Sequence, residues 1–139
     1  MSHLISHALI TNSKNEFLIL KRTLFERGKK NHEGGKWDIP GGTVEATEFP
    51  SATAVRECKE ETDLSVSVEK IVCEISNYDA EKNQVFTTLI YLCSLSEPPE
   101  KIKLDLEEHD DYKWVSKEAV LAMNDDELVS YMKELMRSL

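Results

Sequence analysis

The sequence predicts an α/β fold in which one mixed β-sheet is covered by helices on both faces. Three observations carry that prediction. Segments rich in β-branched and aromatic residues interleave irregularly with helical patterns, not in a regular strand–helix alternation. Residues 50–62 form an amphipathic stretch with proline in its first turn, as helices favour. Two more helical patterns close the chain behind Ser116 and Asn124. A chain of 139 residues fits one domain spanning 1–139 and can bury roughly two-thirds of its unfolded surface. No internal repeat or low-complexity tract interrupts it.

Taken in order, residues 3–12 (HLISHALITN) and 16–22 (EFLILKR) read as strands joined by a turn through TNSKN. Residues 23–35 (TLFERGKKNHEGG) mix charge with glycine and lack periodicity. They read as a long loop, either a binding loop or a solvated connector. KWDI, 36–39, is a short strand ended by Pro40, Gly41 and Gly42, residues that bend the chain and let backbone approach a ligand closely. A helix follows over 50–62, with Phe49 as a poor N-cap. Strands are predicted over 65–76 and 84–96, a break at EPPEK (97–101), and a last short strand at DYKWVS (111–116). Ser116 caps a helix over 117–123, and Asn124 with Glu127 resembles a capping box for a helix over 125–139.

Composition narrows the function classes. The net charge of −9 argues against gripping a nucleic-acid polymer, which takes clustered Lys and Arg. The longest apolar run, residues 89–93, is far too short to span a bilayer. The first ten residues show no basic leader or cleavage site, so a cytoplasmic location is expected, with no membrane partner. Cys58, Cys73 and Cys93 have no zinc spacing and sit among apolar residues, which predicts inert core thiols. A monomer or homodimer is compatible with all of this.

Glu57, Glu60 and Glu61 pose the physical problem. At about 100° per residue they share an arc of about 100°, while Val55, Cys58 and Thr62 fall on another side. Like charges at such spacing repel. Arg56 and Lys59 flank this face and are not expected to neutralise all three. A solvated acidic helix surface is one account. The other starts from Gly41 and Gly42, just ahead of the helix, whose free carbonyls can fold over the carboxylates. Hard oxygen ligands of this type suit Mg²⁺ or Mn²⁺, and a bound divalent cation relieves the repulsion. Through such a cation an acidic protein can also take a small polyphosphate.

The run from Gly42 through Glu48 to Arg56-Glu57-Cys58-Lys59-Glu60-Glu61-Thr62-Asp63-Leu64 resembles the Nudix box, G-x5-E-x7-R-E-U-x-E-E-x-G-U, at residues 42–64. The preceding KWDIPGG is similar to the segment leading into the box in MutT-like members. Cys58 stands where the pattern has a bulky aliphatic residue, and is apolar enough to replace it. Asp63 stands where it has glycine, and should adopt a left-handed conformation at modest cost.

The resemblance implies the Nudix α/β/α sandwich and hydrolysis of a nucleoside diphosphate linked to another group. A Mg²⁺-dependent pyrophosphohydrolase of nucleoside triphosphates, including oxidised ones, is the leading reading, with a small nucleotide as partner. EEHDDYKW is also similar to dinucleoside tetraphosphate hydrolases, which keeps dinucleoside polyphosphate hydrolysis as the alternative. ADP-ribose hydrolysis is disfavoured because no proline lies between Leu64 and Pro98. A silent nucleotide sensor is a third reading, weakened because every box carboxylate is kept.

By the same resemblance Glu57, Glu60, Glu61 and the Gly41 carbonyl are metal ligands, while Arg56 and Glu48 orient them and Gly42 supports the loop. The general base is either Glu57 or Glu108, six residues before Trp114, with Glu107 as fallback. Arg22, Arg27, Lys29 and Lys30 either meet substrate phosphates or are merely solvated. Trp37 is read as core or pocket wall before a base-stacking surface, and His3 and His7 receive no role.

Overall fold

The computed structural model describes residues 2–96 and 101–139. The chain runs β1 (Ser2–Thr11), β2 (Phe17–Arg22), β3 (Phe25–Glu26), β4 (Lys29–Lys30), β5 (Trp37–Asp38), β6 (Gly41–Thr43), α1 (Pro50–Thr62), β7 (Val66–Asp79) and β8 (Gln84–Leu95). It ends with β9 (His109–Val115), α2 (Lys117–Ala122), a 3₁₀ turn (Asp125–Glu127) and α3 (Met132–Arg137). The predicted break at EPPEK falls on residues 97–100, outside the described residues.

The sheet is mixed, as expected. Its order is β5-β2-β1-β8-β7, with β6 paired to β1 and β9 to β2. β1 and β8 run parallel along their length, and the other pairs are antiparallel. β1 meets β2 at Thr11↔Phe17 but pairs with β6 at Ile5, Ser6 and His7. Between those points the Ala8 amide donates to the Pro40 carbonyl at 2.8 Å. Residues 38–43 therefore wedge between two strands that have parted, and this split receives the candidate site.

Period-two alternation builds a core on each face. Leu9, Ile19 and Ile90 point to one side, where Val120, Met132, Leu135 and Met136 of α2 and α3 cover them. Ala8, Ile10, Leu18, Leu20 and Cys93 point to the other, where Ala54 and Cys58 of α1 cover them. Each fully buried Leu or Ile contributes about 1.5–3 kcal/mol, so the strands carrying the site are rigid supports. Cys58 and Cys93 are buried, as predicted, and burial pushes their thiols up to about 11 and about 12. Cys73 is only half-buried, which corrects its assignment to the core.

Three local expectations fail for physical reasons. Residues 23–35 are not a structureless loop, because Arg27 and Gly28 both take positive φ and turn the chain into the small β3–β4 hairpin. Gly41–Thr43 becomes a strand because β1 offers it an edge. The Asn124 box works, with Glu127 accepting from the Asn124 amide at 3.1 Å, but it caps one 3₁₀ turn, not a helix over 125–139. Leu128 instead bridges Trp37, and the Val129 amide donates to the Trp37 carbonyl at 3.0 Å, which pulls this segment out of helical geometry.

Candidate active site

Helix α1 docks so that its glutamates part company. Glu61 is buried, its side chain 3% exposed, and its Oε2 accepts from the Gly41 amide at 3.1 Å. Glu60 is 57% exposed. Glu57 lies between them in burial. Burial, then Glu57 and Glu108, push the Glu61 carboxyl well above the usual range.

Arg56 does more than flank this face. Its Nη1 donates to Glu57 at 2.9 Å and to Glu60 at 3.3 Å, while its Nε donates to Glu48 at 2.7 Å and Nη2 donates to Glu48 at 2.9 Å. Arg56 thus pairs with Glu57 and Glu60 but, as expected, does not neutralise all three, since Glu61 has no Arg or Lys partner among the described residues. Glu48 also accepts from Thr53 Oγ1 at 2.6 Å, and the Arg56 and Thr53 bonds hold its carboxyl down at about 2. The resulting lattice fixes the loop ahead of α1 to the helix.

Two glycines are required by close approach. A Cβ on Gly42 would stand 2.5 Å from Glu57 Cδ, and one on Gly41 would stand 2.5 Å from the Ser6 carbonyl oxygen and collide with the His7 ring. His7, given no role from sequence, supports this loop. Its Nδ1 hydrogen-bonds the Ile39 carbonyl at 2.8 Å.

The opposite wall comes from the segment before β9. Lys103 and Asp105 amides donate to the Thr62 and Glu61 carbonyls at 3.0 and 3.3 Å, which lays this segment along the end of α1. Glu108 then lines the cleft with Gly41, Glu61 and His109, whereas Glu107 is exposed and outside its lining. Burial, then Glu26, Asp105 and Glu57, push Glu108 up to about 6. Burial pushes His109 down to about 4, so its ring is neutral near pH 7.

Behind the cleft lies a network with little local trace in the sequence. Asp38 is buried and accepts from Arg22 Nη1 at 3.0 Å and from the Tyr131 hydroxyl. Arg22 also donates to Asn31 Oδ1 and the His32 carbonyl, both at 2.9 Å. Its guanidinium is therefore engaged internally, although it lines the cleft. Trp37 sits in the core with Lys113 Nζ 4.5 Å from its ring centroid. Arg27, Lys29 and Lys30 are exposed on the β3–β4 hairpin, over a shallow depression that shares Glu26 and Asn31 with the cleft.

Among the described residues no three acidic, histidine or cysteine side chains form a ready-made metal cage. The donor chemistry still suits a hard divalent cation: the Glu57 and Glu61 carboxyls each lie against the Gly41-Gly42 backbone, and the buried one lacks an Arg or Lys partner among the described residues.

Comparison with known proteins identifies the family. The NUDIX domain family matches residues 1–139. An 8-oxo-dGTP diphosphatase of Proteus vulgaris is 35% identical over 63 residues, 45% of this chain and 52% of that protein. A Mycobacterium tuberculosis protein provisionally named for the same activity is 35% identical over 72 residues, 48% of this chain and 33% of its own. The chain thus spans only a third to a half of these curated relatives. The crystal structure of a MutT protein from Methanosarcina mazei superposes with a TM-score of 0.80 at 29% identity, covering 98% of this chain and 91% of that one. With a family match along the whole chain and a box folded into one helix and its supporting loop, the chain belongs to the Nudix hydrolase family.

Proposed function

We propose that the chain is a Mg²⁺-dependent nucleotide pyrophosphohydrolase acting on a nucleoside triphosphate, with an oxidised purine nucleotide as the favoured substrate. One observation carries the catalytic part: the Glu57 and Glu61 carboxyls both lie against the Gly41-Gly42 backbone, and Glu108 lines the same cleft as Glu61. The oxidised substrate is supported by the relatives named as 8-oxo-dGTP diphosphatases.

Glu57, Glu61 and the Gly41 carbonyl would hold the cation, with Glu60 as a more exposed member of the set. When bound, Mg²⁺ neutralises charge building on phosphate oxygens and makes water easier to deprotonate. Arg56 and Glu48 keep the ligand carboxylates in place. Glu108 accepts the proton of the attacking water, whose oxygen bonds to phosphorus as the bridging P–O bond between the α- and β-phosphates breaks and its electrons leave with the departing fragment, the nucleoside monophosphate or pyrophosphate. Arg27, Lys29 and Lys30 meet the outer phosphates, a task Arg22 cannot share while its guanidinium holds Asp38, Asn31 and His32.

The test is turnover of a nucleotide panel with Mg²⁺, products resolved by chromatography, for wild type and Glu108→Gln. Cleavage of a triphosphate to monophosphate and pyrophosphate is expected. Glu108→Gln should lower kcat by about 10²–10⁴-fold with little change in KM. No turnover of any phosphoanhydride would overturn the enzymatic reading, and wild-type kcat in Glu108→Gln would move the base to Glu57.

A further inference from the structure

We infer that His109 is a positioning residue for Glu61, donating from Nδ1 to Oε1 and holding that carboxylate toward the Gly41 loop. The inference rests on the reading of Glu61 as a cation ligand. His109 is 5% exposed, and its Nδ1 is the one enclosed side-chain nitrogen or oxygen among the described residues without a hydrogen-bond partner. Leaving a buried polar atom unpaired is costly, so its place calls for a reason. The Glu61 Oε1 atom lies 3.5 Å away, and both residues line the same cleft.

The backbone aims the ring there. Lys21 pairs with Asp111 but Arg22 pairs with His109, a register shift that leaves Asp110 without a partner in the ladder. Bulges of this type re-aim side chains beside functional sites. The His109 amide is tied to the Asp105 carbonyl at 3.0 Å, which fixes the turn from which the ring projects.

Donor and acceptor rules assign the proton. A neutral imidazole has one N–H and one lone-pair nitrogen, and an ionised carboxylate can only accept. When Glu61 is ionised, as holding a cation requires, the nitrogen facing it must carry the hydrogen. A few tenths of an ångström of closure turns the 3.5 Å approach into an ordinary hydrogen bond. Glu61 is then held at Oε2 by the Gly41 amide and at Oε1 by His109, with further lone pairs on both oxygens left for a cation.

Two measurements decide it. Nitrogen NMR of the metal-free protein, at a pH high enough to ionise Glu61, should place the His109 proton on Nδ1, and a proton on Nε2 would overturn the inference. Mn²⁺ binding without nucleotide, followed by electron paramagnetic resonance of the free ion, should weaken about 10-fold or more in His109→Leu. His109→Asn, which keeps a short donor, should recover most of that loss. Wild-type affinity in His109→Leu, or equal loss in both variants, would show that the ring only fills space. If wild type itself binds no Mn²⁺, the cation reading falls, while the NMR result still decides whether His109 donates to Glu61.

Discussion

Alanine at Gly42 and at Gly41 should produce opposite failures, although the residues are adjacent. At Gly42 the added Cβ would stand 2.5 Å from Glu57 Cδ and 2.6 Å from its Oε2. Carbon atoms settle near 3.5–4.0 Å, so the Glu57 carboxyl must retreat by about 1 Å. That side chain ends in a partly exposed ion pair with Arg56 and can swing aside, so the fold should lose about 1 kcal/mol or less. A shift of about 1 Å at a reacting centre can lower the rate about 10²-fold. At Gly41 the same Cβ meets the Ser6 carbonyl oxygen at 2.5 Å and the buried His7 ring, both held inside the sheet. Overpacking of this kind costs about 1–3 kcal/mol, a fall in Tm of roughly 3–12 °C. The assays are thermal unfolding, nucleotide turnover and Mn²⁺ binding on both variants. Gly42→Ala should unfold near the wild-type temperature yet lose turnover and ion affinity, while Gly41→Ala should lose stability first. A fully active Gly42→Ala enzyme would refute the placement of Glu57 in the ion site.

Asp63→Gly should raise stability slightly. Asp63 closes α1 at φ 63°, where glycine is easier by about 1 kcal/mol or less, but the exchange gives up an exposed pair with Lys59 at 3.0 Å worth about 0.3–0.5 kcal/mol. Calorimetry showing a clear drop in Tm would mean that the ion pair outweighs the backbone gain. For Asp38 burial raises the carboxyl, but His7, Arg22, Tyr131 and the Ile39 amide together bring it below its ordinary value. A folded pKa below the unfolded one stabilises above the unfolded pKa of about 3.9, and that stability is lost as pH falls through the folded pKa. The Tm gap between wild type and Asp38→Asn should therefore be full at pH 6 and shrink below about pH 4, and a gap independent of pH would show that the carboxylate charge adds nothing.

What could be read in advance followed from local pattern. Leu9 and Ile19 against Ala8, Ile10, Leu18 and Leu20 show the strand period directly, and the two cores lie where that period puts them. The departure at Asp63 marked a left-handed helix end that the structure contains. What escaped reading was set by tertiary partners. The 3₁₀ turn after Asn124 exists because Trp37, far back in the chain, captures Leu128 and Val129. Spacing showed that Glu57, Glu60 and Glu61 share an arc, but only the docking of α1 decides that Glu61 is buried and Glu60 exposed. Asp38 and Tyr131 meet across the fold without any local signal. His109 had one, its place directly after Glu108, but its burial and free Nδ1 depend on a bulge that strand propensity does not reveal.

The spacing of the box has a mechanical reason in this chain. Gly42 rests against Glu57 and Glu48 is forked onto Arg56, so both ends of one loop are fastened to successive residues of the same helix. The five residues between Gly42 and Glu48 connect β6 to the start of α1. The loop turns back on itself on the way, the Glu48 amide donating to the Glu45 carbonyl at 3.0 Å. Releasing Glu48 frees Arg56 from its shortest bond, at 2.7 Å, and with it the guanidinium that Glu57 and Glu60 share. Releasing Gly42 opens the wall against which Glu57 is pressed. The seven residues from Glu48 to Arg56 set the second constraint, since Thr53 must face Glu48 at 2.6 Å on the same side of the helix. Helical geometry places residues three apart on one face, which puts Thr53 and Arg56 together under Glu48. The carboxylates that crowd one another along α1 are thus held by a loop fastened to the helix at both ends.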